Sequence, residues 1–259
     1  MNKPSIRLFF CLLISLVLVG CKTNEPAKAS ISQPKTTFVL VHGAWGGGWD
    51  WKHMDDLLTA DGYAVYRPTL SGLGEHSNIS NTNIDLDTHI QDIVNVILWE
   101  NLHNVVLVGH SYGGMVITGV ADRVPDRIKD VVYVDALLPK SGENVDAIIA
   151  KRILQPVKDG YMTAPWVTGN PPPPHDVLMP NQCFTEPITL TNQDAAMKVP
   201  STYILTVDPG SKPEQDDFYP FYVRAQSYGW PAWMMEGDHN VQRSHPKELV
   251  QLLEKASRN

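Results

Sequence analysis

The stretch from His103 to Asp122 constrains the fold more than any other part of the sequence. Residues 104–109 form a short apolar run rich in valine, which is typical of a buried parallel strand. From Tyr112 onward, apolar residues recur at helical spacing. We therefore expect a strand that passes directly into a helix, with a sharp turn between the two.

The residues at that corner are Gly109-His110-Ser111-Tyr112-Gly113, which match the G-x-S-x-G pattern of a nucleophile elbow. The central residue of such a turn is held in a strained conformation, so its neighbours must be small, and glycine at 109, 113 and 114 meets that need. A bare match to this pattern would occur by chance in roughly one chain in ten of this length. The strand before it and the helix after it favour Ser111 as a nucleophile.

Strands and helices alternate along most of the chain, which predicts an α/β fold. A mostly parallel sheet of about six strands, with helices on both faces, accounts for this alternation in a single domain from residue 36 to residue 259. Strands are expected near 36–41, 64–66, 104–109, 130–135, 202–207 and 231–235, and helices near 49–61, 87–100, 112–122 and 217–228, with a last helix whose N-cap is Ser244.

The alternation stops between about 139 and 200. This segment contains the proline run 171–174, scattered glycines, and the aromatic residues Tyr161, Trp166 and Phe184. Sixty residues with little strand pattern inside a compact domain indicate either disorder or a functional lid, and the aromatic residues favour a lid. Cys183 in this segment is more typical of a packed thiol than of a nucleophile.

The amino terminus has the pattern of an export signal. Lys3 and Arg7 precede an apolar run that is short for a membrane span, and Leu18-Val19-Gly20-Cys21 resembles a bacterial lipobox. We therefore expect a signal peptide at 1–20, a lipidated Cys21, and a flexible tether at 21–35. This would place the domain in the bacterial cell envelope, anchored to a membrane and facing the periplasm or the exterior.

The charge balance bears on possible partners. Removal of residues 1–20 would leave 19 basic and 28 acidic residues, a formal charge of −9. An excess of acidic residues argues against nucleic acid and against a basic membrane-binding face. The sequence contains neither an H-E-x-x-H motif nor paired cysteine sites that would indicate zinc, and we expect neither a metal nor an organic cofactor.

Three residues of the types that form a catalytic triad follow three predicted strands: Ser111, Asp208 and His239. Ligands of parallel sheets bind at these carboxyl ends, and a serine nucleophile needs an imidazole base and an acid that orients the base. The sequence thus predicts a triad in the order Ser, Asp, His. Asp135, at the end of the preceding strand, is a second possible acid that the spacing favours less.

The first strand ends in a glycine-rich loop, His42 to Trp49. It has neither the lysine of a P-loop nor the G-x-G-x-x-G order, so a nucleotide site is disfavoured. A second interpretation is that the loop supplies a backbone N–H to an oxyanion hole, together with the residue after the nucleophile. The expected donors are then the N–H groups of Ala44 and Tyr112.

Four segments, LVHGAWGGGWDW, GHSYGGMVITGVADRVPDRI, VVYVDALLP and EGDHNVQRSHP, resemble the α/β-hydrolase branch that contains plant methylesterases, hydroxynitrile lyases and many bacterial carboxylesterases. The resemblance runs from about Thr36 to Leu253 and fades through 140–198. It implies the α/β-hydrolase fold and a serine carboxylesterase that acts on small to medium esters. It also implies that Ser111, Asp208 and His239 form the triad and that Ala44 and Tyr112 are the oxyanion donors.

Two other functions stay open. The lyases of this branch have Thr in place of Gly43 and Lys immediately after the catalytic His, where this chain has Asn240, which counts against a lyase. A binding protein built on the same fold, with slow turnover, is compatible with a complete triad.

Overall fold

The core of the fold is a six-stranded, wholly parallel sheet, which confirms the predicted α/β-hydrolase class. A computed structural model describes residues 36–150 and 154–258. The main sheet consists of β1 (Thr37–Val41), β2 (Ala64–Tyr66), β3 (Val105–Ser111), β4 (Ile128–Ala136), β8 (Ser201–Val207) and β9 (Ala232–Glu236). Their order across the sheet is β2-β1-β3-β4-β8-β9. Because the order reverses between β1 and β3, the crevice at their carboxyl ends is where a ligand is expected.

Residue alternation along the strands explains why both faces of the sheet are covered. In β1, Phe38 and Leu40 point into one hydrophobic cluster, whereas Val39 and Val41 point into another. Helices α1 (Lys52–Ala60) and α9 (Pro246–Ala256) cover the first face, and α2 (Leu86–Trp99), α3 (Gly113–Arg123) and α7 (Tyr219–Ser227) cover the second. This layering places the loops at the strand ends above an apolar core.

The helix boundaries differ slightly from the sequence expectation. A 3₁₀ turn at Gly48–Trp51 precedes α1, so the α-helix begins at Lys52. Ser244 is the last residue of α8 (Val241–Ser244) and not the N-cap of the terminal helix, which starts at Pro246 after His245. Proline suits the first helical turn because its missing N–H would have no partner there, and this fixes the start of α9.

The segment after β4 carries short elements of its own. It contains helices α4 (Val145–Ile148), α5 (Gln182–Thr185) and α6 (Gln193–Ala196) and a small antiparallel sheet of β5 (Val157–Lys158), β6 (Tyr161–Met162) and β7 (Met179–Pro180). We call residues 154–200 the cap segment. Among the described residues, no helix is long and apolar enough to cross a membrane, and the predicted signal, tether and lipidated Cys21 lie outside them.

Among the described residues, the hydrogen bonds that join the cap segment to the core come mainly from its second half. The backbone N–H groups of Thr191 and Asn192 each donate at 2.8 Å to the buried carboxylate of Asp122 on α3. Glu186 accepts at 2.8 Å from the N–H of Asp87 at the start of α2. In the first half, Val177 N–H donates at 2.9 Å to the carbonyl of Trp45.

Candidate active site

Ser111 stands at the corner between β3 and α3 with φ of +54°, in the left-handed region that side chains rarely adopt. The neighbouring positions require glycine because the surrounding backbone leaves no room for a side chain. A Cβ on Gly109 would lie 2.7 Å from the carbonyl oxygen of Gly113, and one on Gly114 would collide with the carbonyl of Leu137. The strained elbow that the sequence predicts is thus present, with the serine hydroxyl at the carboxyl end of the sheet.

Ser111 and His239 are brought together as the sequence predicts. Nε2 of His239 lies 3.0 Å from Oγ of Ser111, and Nδ1 of the same ring lies 2.6 Å from Oδ2 of Asp135. Because a carboxylate can only accept, Nδ1 carries the proton and Nε2 is free to accept from the serine hydroxyl. This is the arrangement in which an imidazole can act as a general base toward serine.

The prediction that Asp208 lies against His239 is wrong, because the structure places Asp135 there. Asp208 is exposed in the loop after β8 and does not line the cavity above Ser111. Asp135 is 1% exposed, and its Oδ1 accepts at 3.1 Å from the N–H of Thr206. Its strand, β4, is also the direct neighbour of the elbow strand β3, whereas β8 lies one strand further away.

A backbone irregularity aims Asp135 at His239. Along the β3–β4 ladder, His110 pairs with Val134 and Ser111 with Ala136, so Asp135 is an extra residue in a bulge. Its φ of +44° is unusual for aspartate and turns the side chain out of the regular alternation. The order of residues in the chain shows an aspartate at this strand end but does not reveal the bulge.

Two rings hold the imidazole of His239 in place. Phe218 stacks on it at 4.8 Å between centroids with an interplanar angle of 16°, and the ring of His110 lies 4.5 Å away on a tilted plane. The Nε2–H of His110 also donates at 2.7 Å to the backbone carbonyl of His239. Burial lowers the pKa of His110 well below its ordinary value, so this ring stays neutral. No local sequence pattern marks Phe218 or His110 as part of the site.

The glycine-rich loop after β1 packs directly on the elbow. A Cβ at Gly43 would lie 3.1 Å from Cβ of Ser111, and both Ala44 and Tyr112 line the cavity. His42 fixes the loop, because its Nδ1–H donates at 2.8 Å to the carbonyl of Gly43 and its Nε2 accepts at 3.1 Å from Leu70 N–H. Burial lowers the pKa of His42 to about 4, which keeps it neutral.

A cavity of about 470 Å³ opens above Ser111. One part of its wall is aromatic and includes Trp45, Trp166 and Phe184, of which the last two come from the cap segment. Tyr161, which the sequence placed in the same group, lies in β6 and does not line this cavity. A pocket of this size suits a small or medium organic molecule.

Another part of the wall is charged. Asp50 is 5% exposed and forms an ion pair with Arg243, while Asp176 accepts at 2.6 Å from the indole N–H of Trp166. Asp216 lies beside His239 and accepts at 2.8 Å from the N–H of Phe218. Burial, with a contribution from Asp135, raises the pKa of Asp216 to about 6.

Comparison with known proteins agrees with this architecture. Residues 38–252 match the model of the alpha/beta hydrolase family. The chain belongs to that family. This confirms the resemblance that the sequence motifs carry.

Three relatives of this alpha/beta hydrolase illustrate the similarity. A carbendazim hydrolyzing esterase from Nocardioides sp. (strain SG-4G) is 47% identical over 116 residues, which are 45% of this chain and 48% of that protein. Methylesterase 8 of Arabidopsis thaliana is 30% identical over 54% of this chain and 49% of that protein. This chain thus spans about half the length of these two curated relatives. An extracellular alpha/beta-hydrolase from a Paenibacillus species superposes with a TM-score of 0.69 at 25% identity, covering 86% of this chain and 100% of that one.

Other titratable groups of this hydrolase lie in packed surroundings. The Cys183 thiol is buried beside Tyr112 and donates to the carbonyl of Ile84 at 3.5 Å, and burial raises its pKa, so it is a packed thiol. His89 is buried between the hydroxyl of Tyr112 and the carbonyl of Ser71. Within residues 36–150 and 154–258, no group of three or more His, Cys, Asp or Glu side chains is placed to hold a metal ion.

Proposed function

We propose that this protein is a serine carboxylesterase that hydrolyses small to medium carboxylic esters through an acyl-enzyme. The observation that carries the proposal is the continuous set of contacts from Ser111 through His239 to the buried Asp135. The relatives named as an esterase and a methylesterase support the same class of reaction. A pocket of about 470 Å³ directly above the serine can hold a small to medium ester.

In the first half of the reaction, Ser111 Oγ attacks the ester carbonyl carbon while His239 Nε2 takes the hydroxyl proton. The carbonyl oxygen becomes an oxyanion, for which the backbone N–H groups of Ala44 and Tyr112 are the proposed donors. His239 then protonates the leaving alkoxide as the carbon–oxygen bond breaks. Asp135 stabilises the imidazolium that forms in between.

In the second half, a water molecule gives a proton to His239 Nε2 and attacks the acyl carbon. Collapse of the second oxyanion breaks the bond to Ser111 Oγ, which takes the proton back from His239. The products are one alcohol and one carboxylic acid, which ionises near neutral pH. No electron transfer is involved, and His239 carries each proton between Ser111, the water molecule and the leaving groups.

A panel of substrates tests the reaction class. The full-length protein, purified in detergent, is incubated with p-nitrophenyl esters whose acyl chains have two to twelve carbons, and separately with mandelonitrile. We expect many turnovers per molecule on the shorter esters and no benzaldehyde release. Cyanohydrin cleavage without ester hydrolysis would identify a lyase instead, and fewer than a few turnovers per molecule would favour a binding protein.

The lyase alternative has little support at this site. A Cβ at Gly43 would lie 3.1 Å from both Nδ1 of His110 and Cβ of Ser111, so a threonine there would be crowded. Asn240, which follows His239 and lines the cavity, brings no charge to stabilise a cyanide leaving group. Both observations favour the esterase.

We further propose that the protein is held on a membrane of the cell envelope by a lipid on Cys21. The support is the Leu18-Val19-Gly20-Cys21 pattern after an apolar run. In cell fractionation, the parent should sediment with membranes, whereas Cys21→Ala should be released or remain unprocessed. Recovery of the variant in the membrane fraction, processed at the parent's size, would contradict the anchor. Ester hydrolysis by extracted parent protein serves as the folding control.

A further inference from the structure

An ion pair joins two segments that border the active-site cavity. Asp50 lies in the 3₁₀ turn at the end of the glycine-rich loop, and Arg243 lies in α8, four residues after His239. The Arg243 guanidinium contacts Oδ1 of Asp50 and also lies 4.7 Å from the ring centre of Trp49 in the same turn. The segment that carries the general base is therefore joined to the loop that carries Ala44, the proposed oxyanion donor.

The two partners of this ion pair differ in their access to water. Asp50 is 5% exposed, whereas 41% of the Arg243 side chain is accessible. Burial and, to a lesser degree, the nearby charge of Asp176 raise the pKa of Asp50 to about 6, although Arg243 favours its charged form. A buried carboxylate is costly without its partner, while a half-exposed guanidinium can turn to water. Removal of Arg243 should therefore perturb the site more than removal of the Asp50 charge.

The glycine-rich loop folds closely over the Asp50 carboxylate. A Cβ at Gly46 would collide with Oδ2 of Asp50, and the Asp50 N–H donates at 3.0 Å to the carbonyl of Gly47. Between Gly46 and Ala44, Trp45 has a φ of +62°, in the left-handed region that side chains rarely adopt. Such a backbone persists only where its surroundings hold it, and the Asp50 carboxylate is part of those surroundings.

We propose that the ion pair of Asp50 and Arg243 holds the glycine-rich loop at a fixed distance from the segment that carries His239. It thereby keeps the Ala44 N–H directed at the oxyanion that forms as Ser111 attacks. This inference rests on the proposed esterase function and assigns two positioning residues to it. The oxyanion exists only in the transition states and the tetrahedral intermediates, so a displaced donor lowers kcat and leaves KM nearly unchanged.

A double-mutant cycle at about pH 8, where Asp50 is ionised, tests the pairing. The full-length parent, Asp50→Asn, Arg243→Gln and the double variant are compared in steady-state hydrolysis of p-nitrophenyl acetate. Arg243→Gln leaves the buried carboxylate without its partner and should lower kcat about thirty-fold, whereas Asp50→Asn should lower it only about three-fold. Adding Asp50→Asn to Arg243→Gln should therefore restore kcat about ten-fold, and KM should stay within about two-fold throughout.

A second ion pair supplies the matched control. Lys52 and Asp56 pair on α1, each with 59% of its side chain exposed, and neither lines the cavity. Lys52→Gln/Asp56→Asn should keep kcat within about two-fold of the parent's. Thermal unfolding shows which variants are folded. If Arg243→Gln does not fold, Asp50→Asn decides, and a kcat equal to the parent's would then refute the positioning role.

Two results of the cycle would overturn the proposal. One is a double variant in which the losses of the single variants multiply, and the other is a change in KM without a fall in kcat. Labelling by a serine-directed phosphonate provides a second measurement on the same proteins. In that reaction Ser111 Oγ bonds to phosphorus, the leaving group departs, and His239 takes the hydroxyl proton, so the same donors are needed without ester turnover.

The labelling rates separate this inference from the esterase proposal. A parent that is labelled but turns over no ester refutes the esterase alone, and the labelling rates of the four proteins then decide on the ion pair. Ester hydrolysis by the parent, with no coupling between positions 50 and 243 in either assay, refutes the ion pair alone. A parent that shows neither labelling nor turnover refutes both.

Discussion

Replacement of Asp135 by asparagine is the sharpest test of the site. The amide has the shape of the carboxylate, so the packing around this 1% exposed side chain should survive. Its oxygen must still accept the N–H of Thr206, which turns the NH₂ group toward Nδ1 of His239. A donor facing Nδ1 forces the ring proton onto Nε2, and Nε2 can then no longer accept from Ser111.

The loss of the Asp135 charge sets the expected size of the decrease in kcat/KM. A carboxylate about 4 Å from the centre of an imidazolium stabilises it by about 4 kcal/mol at an effective dielectric constant near 20. Since about 1.4 kcal/mol corresponds to ten-fold in rate, kcat/KM should fall about a thousand-fold. The wrong tautomer can only add to that loss.

The assay is steady-state hydrolysis of p-nitrophenyl acetate by the parent, by Asp135→Asn and by the matched variant Asp208→Asn. The exposed Asp208 lies outside the cavity, so its variant should retain activity within about two-fold of the parent. Thermal unfolding of each protein confirms that it is folded. The reasoning is refuted if Asp208→Asn loses as much activity as Asp135→Asn, or if Asp135→Asn keeps more than about a tenth of the parent's.

Three further predictions concern single side chains. Ser111→Ala should abolish ester hydrolysis and labelling by a serine-directed phosphonate while unfolding at the parent's temperature, and persistent labelling would show another nucleophile. His110→Phe keeps a buried ring but removes the donor to the carbonyl of His239, so kcat should fall about ten-fold with KM unchanged, whereas a change in KM alone would contradict this positioning role. Burial raises the pKa of Asp130 to about 6, so the fold favours its protonated form and loses stability as pH rises through 6. Asp130→Asn should therefore raise the unfolding temperature by about 3 °C at pH 8 and by much less near pH 4, and an equal gain at both pH values would exclude this cause.

The elbow could be predicted from the sequence because its requirements are local. A valine-rich strand, small residues at 109 and 113, and helical spacing afterwards lie within twenty residues, and each has a direct steric reason. The six-stranded sheet could be predicted from the sequence for a similar reason, since its strands are separate apolar runs between helices.

The acid that contacts His239 and the two rings that pack against it could not be predicted in the same way. Two aspartates follow two strands, and the choice between Asp135 and Asp208 depends on strand order and on a bulge, neither of which leaves a local pattern. His110 and His239 are 129 residues apart in the chain, and the side chain at the variable position of G-x-S-x-G carries no signal of its partner. Contacts of this kind exist only once the sheet has assembled.

The two halves of the cap segment differ in their hydrogen bonds to the core, and this difference bears on how a substrate would reach Ser111. Its second half is bonded to α2 and α3 through Glu186, Thr191 and Asn192, so that half moves with the core. Among the described residues, the half that carries Trp166 contacts Trp45 through a ring edge and through the backbone hydrogen bond from Val177. We therefore expect that a molecule entering the cavity separates these two indoles and leaves the hydrogen bonds that orient His239 in place. Admission to the pocket and chemistry within it can therefore vary independently, and residues around Trp166 can alter how fast substrates are captured while the rate of the covalent steps stays the same.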